Sequence, residues 1–533
     1  MVSLRHAVVA GALLLMACPP ADEEPTLDSR QLLIRASLDL RGVRPTVAEF
    51  DRLTADEAVL PDLVEEFLAD ERFGERMREL YTPVVRTRID QFPVDAQDYG
   101  LDDDAAFQAS VGDEVPRMIE RVANEDLPWT EVATGDWTMA NGILAQVWPV
   151  QQDAPGVDWS VARYTDGRPA AGMLTTNSLW WRYPSNGINY NRGRANALSR
   201  ILLCNDYLAR EVAFPRDIDL TDGALVADAL RNNPGCVNCH VSLDALGSYL
   251  FGFTYPANAE ADDASVYHPE RERNWQNATG VAPAYYGEPG FTLDDLGHQI
   301  AGDNRFVECA VETVFEGLVA RESDLADADA LTRHREAFLA GGLTLRALVR
   351  SIVEDDAWLG RDAERAAAVR KIATPDLLAS QIEDLTGYRF TVGGRDMLQT
   401  DLQGLRSLAG GVDGYTGSAP SRVPTPTMVL VQERLAQAAA WHVAASDAGL
   451  PAVQRRLLTV DFAVTPETDR AAMVDQVRRL HQRIFGLDVA VDSLEVTEAL
   501  DLWSALYDVE GNAVDAWAGV LSVLLRDPDL IFY

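Results

Sequence analysis

The sequence predicts a mainly α-helical protein, built from several helical lobes that are joined by long irregular loops. Apolar residues recur at helical spacing in seven segments, whereas stretches that alternate as β-strands do are few. The 533 residues exceed the size of one domain and predict about three or four of them. With 47% hydrophobic and 24% charged residues, the composition excludes wholesale disorder and a protein with many membrane spans.

The helical segments and their boundaries can be placed along the chain. The predicted helices are residues 30–40, 63–73, 114–124, 196–212, 343–352, 427–445 and 470–485. The predicted N-caps are Thr46, Asp70, Thr374 and Thr465. Residues 92–107 form an acidic loop, and residues 150–168 and 254–290 are predicted to be long and irregular because they are rich in Gly, Pro and Asn.

A weak internal repeat relates residues 67–76, 352–361 and 524–533. Each copy ends an apolar helix, places an Asp at a corner and then buries a large apolar residue; the three are Asp70, Asp355 and Asp527. An Asp at such a corner caps the next turn, so the repeat predicts three lobes closed by similar corners.

The first residues predict export. A basic pair precedes an apolar run that is long enough for a secretory signal but too short to span a bilayer. Residues 15–18 resemble a lipobox, which makes residues 1–17 a lipoprotein signal peptide, Cys18 the lipidated residue and residues 18–29 a tether. A plain secreted protein cleaved nearby is the alternative. Three helical domains follow: residues 30–150, 165–360 and 372–533.

The second domain contains Cys236-Val237-Asn238-Cys239-His240, a C-x-x-C-H motif. Two thiols at this spacing add to the vinyl groups of one haem, and the adjacent imidazole becomes the proximal iron ligand. We therefore expect one haem c, bound by Cys236, Cys239 and His240. A disulfide or redox pair of these cysteines, or a zinc site, is the alternative.

Cys204 and Cys309 remain once the other cysteines are assigned. Leftover cysteines usually pair in an oxidising compartment, so we predict a Cys204–Cys309 disulfide that encloses the haem segment. Two buried free thiols are the alternative.

The sixth iron ligand is not fixed by the sequence. The candidates are His298 on a predicted helix, His268 in a polar loop and Met173 in an apolar stretch; water or an open position is the alternative. Residues 254–290 follow the motif, and Tyr285 and Tyr286 there either line a haem pocket or merely pack the loop.

Several segments resemble a known group of proteins. Residues 38–45 and 67–76 are similar to the N-terminal domain of planctomycete-type cytochrome-associated proteins of unknown function, which also occur in relatives of the myxobacteria. Residues 171–176, 191–196, 202–204, 235–247 and 306–309 resemble the segments of that family around its haem motif and later cysteine. The resemblance implies a helical fold and a haem, and says little about mechanism.

These features predict an exported, lipid-anchored, single-haem protein of a Gram-negative cell envelope, periplasmic or on the outer-membrane surface. One-electron transfer is favoured over turnover, with an unidentified redox partner docking near residues 236–300. The alternatives are a haem enzyme or sensor with an open distal site and a non-redox envelope scaffold. The charge of −37 disfavours nucleic acid as a partner, and no catalytic residues are assigned because hydrolase, metalloprotease and P-loop motifs are missing.

Overall fold

The computed structural model describes residues 27–156, 158–210, 219, 221–255, 259–361, 370–400, 404–412 and 419–533. The predicted signal peptide and Cys18 lie outside these residues. The fold is mainly helical, as predicted. In the part of the chain that is described, no helix has both the length and the apolar character required to cross a bilayer.

The helices fall into three consecutive groups. The first contains α1 (Ser29–Arg41), α2 (Val47–Ala55), α3 (Leu60–Ala69), α4 (Arg72–Val85), α5 (Asp104–Asn124), α6 (Glu131–Thr134), α7 (Leu144–Val147), α8 (Asn177–Arg182) and α9 (Arg192–Leu203). The second contains α10 (Gly223–Asn232), α11 (Pro234–Gly247), α12 (Ala261–Ser265), α13 (Trp275–Ala278), α14 (Leu293–Ala301), α15 (Asn304–Val319), α16 (Ala328–Ala340), α17 (Leu345–Val353) and α18 (Asp356–Leu359). The third contains α19 (Pro375–Thr386), α20 (Pro426–Ala448), α21 (Arg470–Phe485), α22 (Leu494–Glu510) and α23 (Ala513–Leu524).

The strands are short and antiparallel. One sheet has the order β1-β3-β2, formed by β1 (Thr138–Ala140), β2 (Val150–Gln152) and β3 (Ser160–Tyr164). Thr138 pairs with Ala162 in this sheet, and Val150 pairs with Tyr164. Two-stranded ribbons are formed by β4 (Ala284–Tyr285) with β5 (Glu288–Pro289), and by β6 (Thr391–Val392) with β7 (Arg395–Asp396).

Four local predictions were wrong in detail. The helix predicted over residues 63–73 is broken into α3 and α4 because Asp70 is extended, with φ −69° and ψ 141°. The helix predicted over 196–212 ends at Leu203, because Cys204 adopts the left-handed conformation with φ 49°. The predicted loops are the third: residues 150–168 contain β2 and β3, and residues 254–290 contain α12, α13, β4 and β5. The acidic loop predicted over 92–107 ends earlier, because α5 begins at Asp104.

The fourth concerns the start of α21. Asp469, and not Thr465, is its N-cap, and the Asp469 side chain accepts a hydrogen bond from the Ala472 amide at 3.1 Å. Thr465 belongs to the preceding turn, where its amide donates to Thr468 Oγ1 at 2.8 Å. The polar side chain four residues downstream is therefore the one placed at the helix start. Thr46 and Thr374 cap α2 and α19 as predicted, whereas Asp70 ends α3 and Glu71 occupies the N-cap position of α4.

The repeated corner is confirmed in all three copies. The carboxylate of the corner Asp accepts a hydrogen bond from the amide two residues later, at 3.0 Å in Asp70, 3.0 Å in Asp355 and 2.8 Å in Asp527. The residue three positions after each Asp is buried; these residues are Phe73, Trp358 and Leu530. One side chain thus turns the chain and aims the next large apolar group into the core.

The large apolar residues form two main cores and a smaller one. The first takes residues from both the predicted 30–150 and 165–360 ranges and reaches residue 377, and the second is built from residues 378–531. The small core lies between the three-stranded sheet and α5. The domain boundaries themselves stay predictions.

The C-terminus ties the two main cores together around Asp39. The last residue, Tyr533, exchanges two backbone hydrogen bonds with Lys371, at 2.8 and 3.0 Å. Its hydroxyl donates to Asp39 at 2.9 Å, the Trp358 indole donates to the same carboxylate at 2.8 Å, and Lys371 forms a buried ion pair with it. A charge buried this deeply is stable only when its partners are fixed, so Asp39 locks the second and third corners to α1.

Candidate functional site

The C-x-x-C-H motif lies on α11. The helix begins where Pro234 occupies its first turn and the Asn233 side chain accepts a hydrogen bond from the Gly235 amide at 2.9 Å. Residues three and four positions apart share one face of a helix, so Cys236 is a neighbour of both Cys239 and His240. The local sequence therefore places both thiols and the imidazole on one side of α11.

Both motif cysteines are free thiols, and both are half-buried. The alternative disulfide between Cys236 and Cys239 is thus not formed in this structure. Within the described residues, no three Cys, His, Asp or Glu side chains converge as they would around a metal ion. A zinc site with its usual four ligands has no support in this geometry.

His240 is oriented by Asp244, which lies one turn later on α11. The imidazole Nδ1 is 3.3 Å from Asp244 Oδ1, and Asp244 is in turn held by the Arg192 guanidinium, with Nη2 to Oδ2 at 3.1 Å. Burial opposes ionisation of this carboxyl, but hydrogen bonds from His240 and Arg192 outweigh it and lower the pKa of Asp244. An ionised Asp244 favours a proton on Nδ1 and leaves Nε2 as the nitrogen with a free lone pair.

The second half of α11 is anchored to α9 and the turn before it. Leu246 is fully buried, and the Asn191 side chain donates to the Gly247 carbonyl at 3.3 Å. A Cβ on Gly247 would lie 2.9 Å from the Tyr190 carbonyl oxygen, so only glycine allows this close approach. The second half of α11 is therefore packed against the core, whereas the half that carries the motif is exposed or half-buried.

Apolar side chains next to the motif are exposed. Val241, which directly follows His240, is 66% exposed, and Leu225, on the neighbouring α10, is 49% exposed. Tyr207 lies beneath the motif, with its hydroxyl 2.7 Å from that of Ser242, and the adjacent Leu208 is exposed. Exposed apolar side chains therefore lie on α11 itself, on the neighbouring α10 and beside Tyr207.

The two aromatic residues expected in the following loop have structural contacts. The Tyr285 ring is buried and its hydroxyl donates to Asp303 at 2.7 Å. The Tyr286 hydroxyl is 3.0 Å from that of Ser199 and 3.3 Å from that of Tyr207. Tyr285 packs the loop. Tyr286 instead joins Tyr207 and Ser242 in a polar layer of hydroxyl groups under the motif.

The three candidates for a sixth ligand occupy different settings. His298, on α14, is exposed, and its Nδ1 is 3.0 Å from the Asp294 carbonyl oxygen. Both nitrogens of His268 are engaged at 3.0 Å, one by the Glu270 carboxylate and the other by the Asp263 carbonyl.

Met173 is buried in the first core. In the ranges that the structure describes, no hydrogen bond or ion pair joins any of the three candidates to the motif. The segment directly after α11 contacts two of these elements: the Tyr249 hydroxyl donates to Gln299 of α14 at 2.9 Å, and the His268 amide donates to the Gly252 carbonyl at 2.8 Å.

The predicted disulfide between Cys204 and Cys309 is present. It joins the end of α9 to α15 with a Cα–Cα distance of 5.2 Å. Since α9 packs against α11, the bridge fixes the helix that supports the motif.

The N-terminal part of the chain can be compared with known families. Residues 20–132 match the model of PSCyt2, a protein of unknown function (DUF1549). The match covers roughly a fifth of the chain and ends before the motif. It confirms the expected resemblance to planctomycete cytochrome-associated proteins for these residues. No curated protein and no solved structure matches the chain.

Sequence reasoning did not assign roles to Arg192, Asp244 and Tyr207. The spacing of His240 and Asp244 was a usable signal, because residues four apart on a helix are neighbours. No local signal indicated Arg192 or Tyr207, since their contacts with α11 span 52 and 35 residues of sequence.

Proposed function

We propose that the protein carries one haem c on α11 and transfers single electrons at the cell envelope. Cys236 and Cys239 would hold the haem through thioether bonds, and His240 would be the proximal iron ligand. The iron of such a group supplies a one-electron redox couple. The observation that carries the proposal is the set of two free thiols and an oriented imidazole on one face of α11.

The residues around the motif have defined tasks in this proposal. Asp244 holds His240 in the tautomer that presents Nε2 and makes the imidazole a stronger donor. Arg192 keeps Asp244 in place and ionised. The polar layer of Tyr207 and Ser242 supports the helix from below, because Ser242 also donates to the Cys239 carbonyl at 3.1 Å.

Electron transfer is favoured over turnover by the position of the motif at the surface. A cavity of about 490 Å³ lies elsewhere, and no residue of α11 lines it. The motif lies at the surface beside α10, most of which is exposed. Electron transfer needs only close approach of a partner, so we infer that an unidentified redox protein docks on α10 and α11.

A second candidate function is small-ligand binding at an open sixth position. It is favoured by the contacts of the distal candidates, because both nitrogens of His268 are engaged and Met173 lies in the core. Binding of carbon monoxide to the ferrous protein separates the two functions. Resistance to the gas supports electron transfer, whereas prompt binding supports the open site.

The decisive experiment is expression of the full chain together with a c-type cytochrome maturation system. Intact mass and the pyridine haemochrome spectrum are expected to show one covalent haem per chain. Cys236→Ser and Cys239→Ser are expected each to lose one thioether bond, and the double variant is expected to lose the haem. The matched control, Cys204→Ser with Cys309→Ser, is expected to keep it. Properly matured protein without added mass would refute the proposal.

The location at the envelope is proposed from the sequence. Cys18 would carry the lipid and the tether would place the helical body next to the membrane. Incorporation of labelled palmitate is expected in the wild-type protein and absent in Cys18→Ala. A wild-type protein that is secreted without lipid would instead support the plain signal peptide.

A further inference from the structure

Lys371 is the only lysine among the 46 basic residues of the chain. It lies just before α19 and pairs with Asp39 of α1, which is 332 residues away in the sequence. Both side chains are only 3% exposed, so the pair is withdrawn from water. Another buried aspartate, Asp166, pairs instead with an arginine, Arg168, at 2.6 Å. The Asp39 pair is therefore distinguished by having an amine as its cation.

An amine can do chemistry that a guanidinium cannot. Arginine stays protonated in proteins, whereas a buried lysine can lose its proton and become a nucleophile. Burial lowers the pKa of Lys371 to about 7, against the opposing attraction of Asp39. The neutral, nucleophilic amine is therefore accessible near neutral pH.

The Asp39 carboxyl is held by fixed hydrogen-bond donors. The Tyr533 hydroxyl donates to Oδ1 at 2.9 Å, and the Trp358 indole donates to Oδ2 at 2.8 Å. Lys371 Nζ contacts the same Oδ2, which places the amine next to the oxygen that is bonded to Cγ. Donors fixed in this way polarise a carboxyl group and stabilise the negative charge that develops on its oxygen when a nucleophile attacks the carbon.

Aromatic rings enclose the amine. Nζ lies 5.5 Å from the centre of the Trp358 ring and 5.7 Å from the centre of the Tyr533 ring. The Leu318 carbonyl accepts a hydrogen bond from the same nitrogen. The surrounding structure thus holds the amine against the carboxyl and keeps bulk water away from both. Two groups held together in this way react as parts of one molecule, without the cost of an encounter.

We propose that Lys371 and Asp39 condense to form an intramolecular isopeptide bond. A proton passes from the Lys371 ammonium to Asp39, which leaves a neutral amine beside a carboxylic acid. The bond from Nζ to Cγ forms and the bond from Cγ to Oδ2 breaks. Oδ2 leaves as water with two of the three ammonium protons, and the third stays on the amide nitrogen. The step needs no oxidant, reductant or cofactor.

The product fits the contacts that already exist. The amide N–H keeps the Leu318 carbonyl as its acceptor, and the amide oxygen keeps the Tyr533 hydroxyl as its donor. A neutral amide also replaces two buried charges, whose removal from water is costly. The bond would join α1 covalently to the segment before α19, where the two main cores meet. It is independent of the proposed haem.

Tryptic peptide mapping by mass spectrometry, on the reduced and denatured full chain, tests the bond. Trypsin cuts after arginine and lysine but not after an acylated lysine. We expect a branched peptide that joins residues 36–41 to residues 371–389 and is lighter than the two together by one water. Unlinked protein would instead give residues 36–41 and 372–389 as separate peptides.

Lys371→Arg keeps a buried cation but removes the nucleophilic amine. This variant is expected to lose the branched peptide completely. After boiling in SDS with reductant, it is also expected to migrate more slowly than the wild type, because the bond would keep a loop of 332 residues closed. Both readouts use denatured protein, so they do not depend on the stability of the variant.

Arg52→Lys is the matched control. It puts an amine beside Glu66, in an ion pair whose side chains are 42% and 53% exposed. The introduced lysine is expected to stay unlinked because water surrounds the pair. A bond at this position as well would show condensation without a built site and would contradict the proposal. Wild-type protein that gives Asp39 and Lys371 only in separate peptides would refute the bond without recourse to any variant.

Discussion

His240 and Asp244 form a hydrogen-bonded pair on one face of α11, with Nδ1 and Oδ1 3.3 Å apart. The pair extends to Arg192 on α9, so the orientation of the imidazole depends on the packing of two helices. Outer partners of this kind fix the tautomer of a histidine ligand and increase its basicity. The orientation of His240 is thus determined both by α11 and by the packing of α11 against α9.

Replacing Asp244 by Asn is expected to raise the reduction potential of the proposed haem. A neutral partner makes the His240 imidazole a weaker electron-pair donor to the iron, and this disfavours the ferric state. A tenfold change in the relative stability of the two states corresponds to ~59 mV, and we expect a shift of about this size by spectroelectrochemistry. The exposed Asp262→Asn is the control; an equal shift in both variants would show that general charge, and not the hydrogen bond, is responsible.

Loss of the Cys204–Cys309 bridge is expected to destabilise the protein by roughly 2–5 kcal/mol. The bridge spans 105 residues of sequence, and closing a long loop removes much of the entropy of the unfolded chain. Urea unfolding of Cys204→Ser with Cys309→Ser measures the change in the free energy of unfolding. A wild-type midpoint that does not move on addition of reductant would contradict a stabilising bridge.

Glu114 is expected to give the protein a component of stability that falls as the pH rises from about 4.5 to about 7. Burial raises the pKa of Glu114 to about 7, against the opposing hydrogen bonds from Tyr164 and Thr138. The folded state therefore binds more protons than the unfolded state in this range. Each rise of one pH unit lowers the free energy of unfolding by about 1.4 kcal/mol.

Glu114→Gln is expected to abolish this component while keeping a polar amide in place. The measurement is the difference in free energy of unfolding between wild type and variant at pH 5 and pH 7, which cancels the other titrating groups. A difference that is constant with pH would show that the carboxyl titrates normally.

The corner residue Asp527 is expected to stabilise its turn by about 1 kcal/mol through the hydrogen bond from the Asp529 amide. Asp527→Ala removes the acceptor, whereas Asp527→Asn keeps an oxygen in its place and is the matched variant. Chemical denaturation is expected to show a loss for Ala and almost none for Asn. Equal losses would mean that the charge, and not the cap, is what matters.

Local patterns were sufficient for much of the fold. The helical periodicity found α1, α17, α20 and α21, and the recurring Asp corners were recognisable because each makes its contact within two residues. The cysteine motif was equally local, as was the pairing of the remaining cysteines, which followed from elimination.

Other predictions were wrong because a single residue decided where a helix begins or ends. The break between α3 and α4 depends on the extended backbone of Asp70, and helical periodicity alone continues through it. The start of α21 depended on which of two polar residues, Thr465 or Asp469, lies at the first turn of the packed helix.

By itself, the sequence determined the helical class, the corners and the set of two thiols and an imidazole, because these depend on contacts within a turn or two of helix. The tertiary structure alone decided that Arg192 holds Asp244 and that Glu114 is buried with a raised pKa. Burial and long-range pairing set these properties, and both arise only when segments distant in the chain pack together and exclude water.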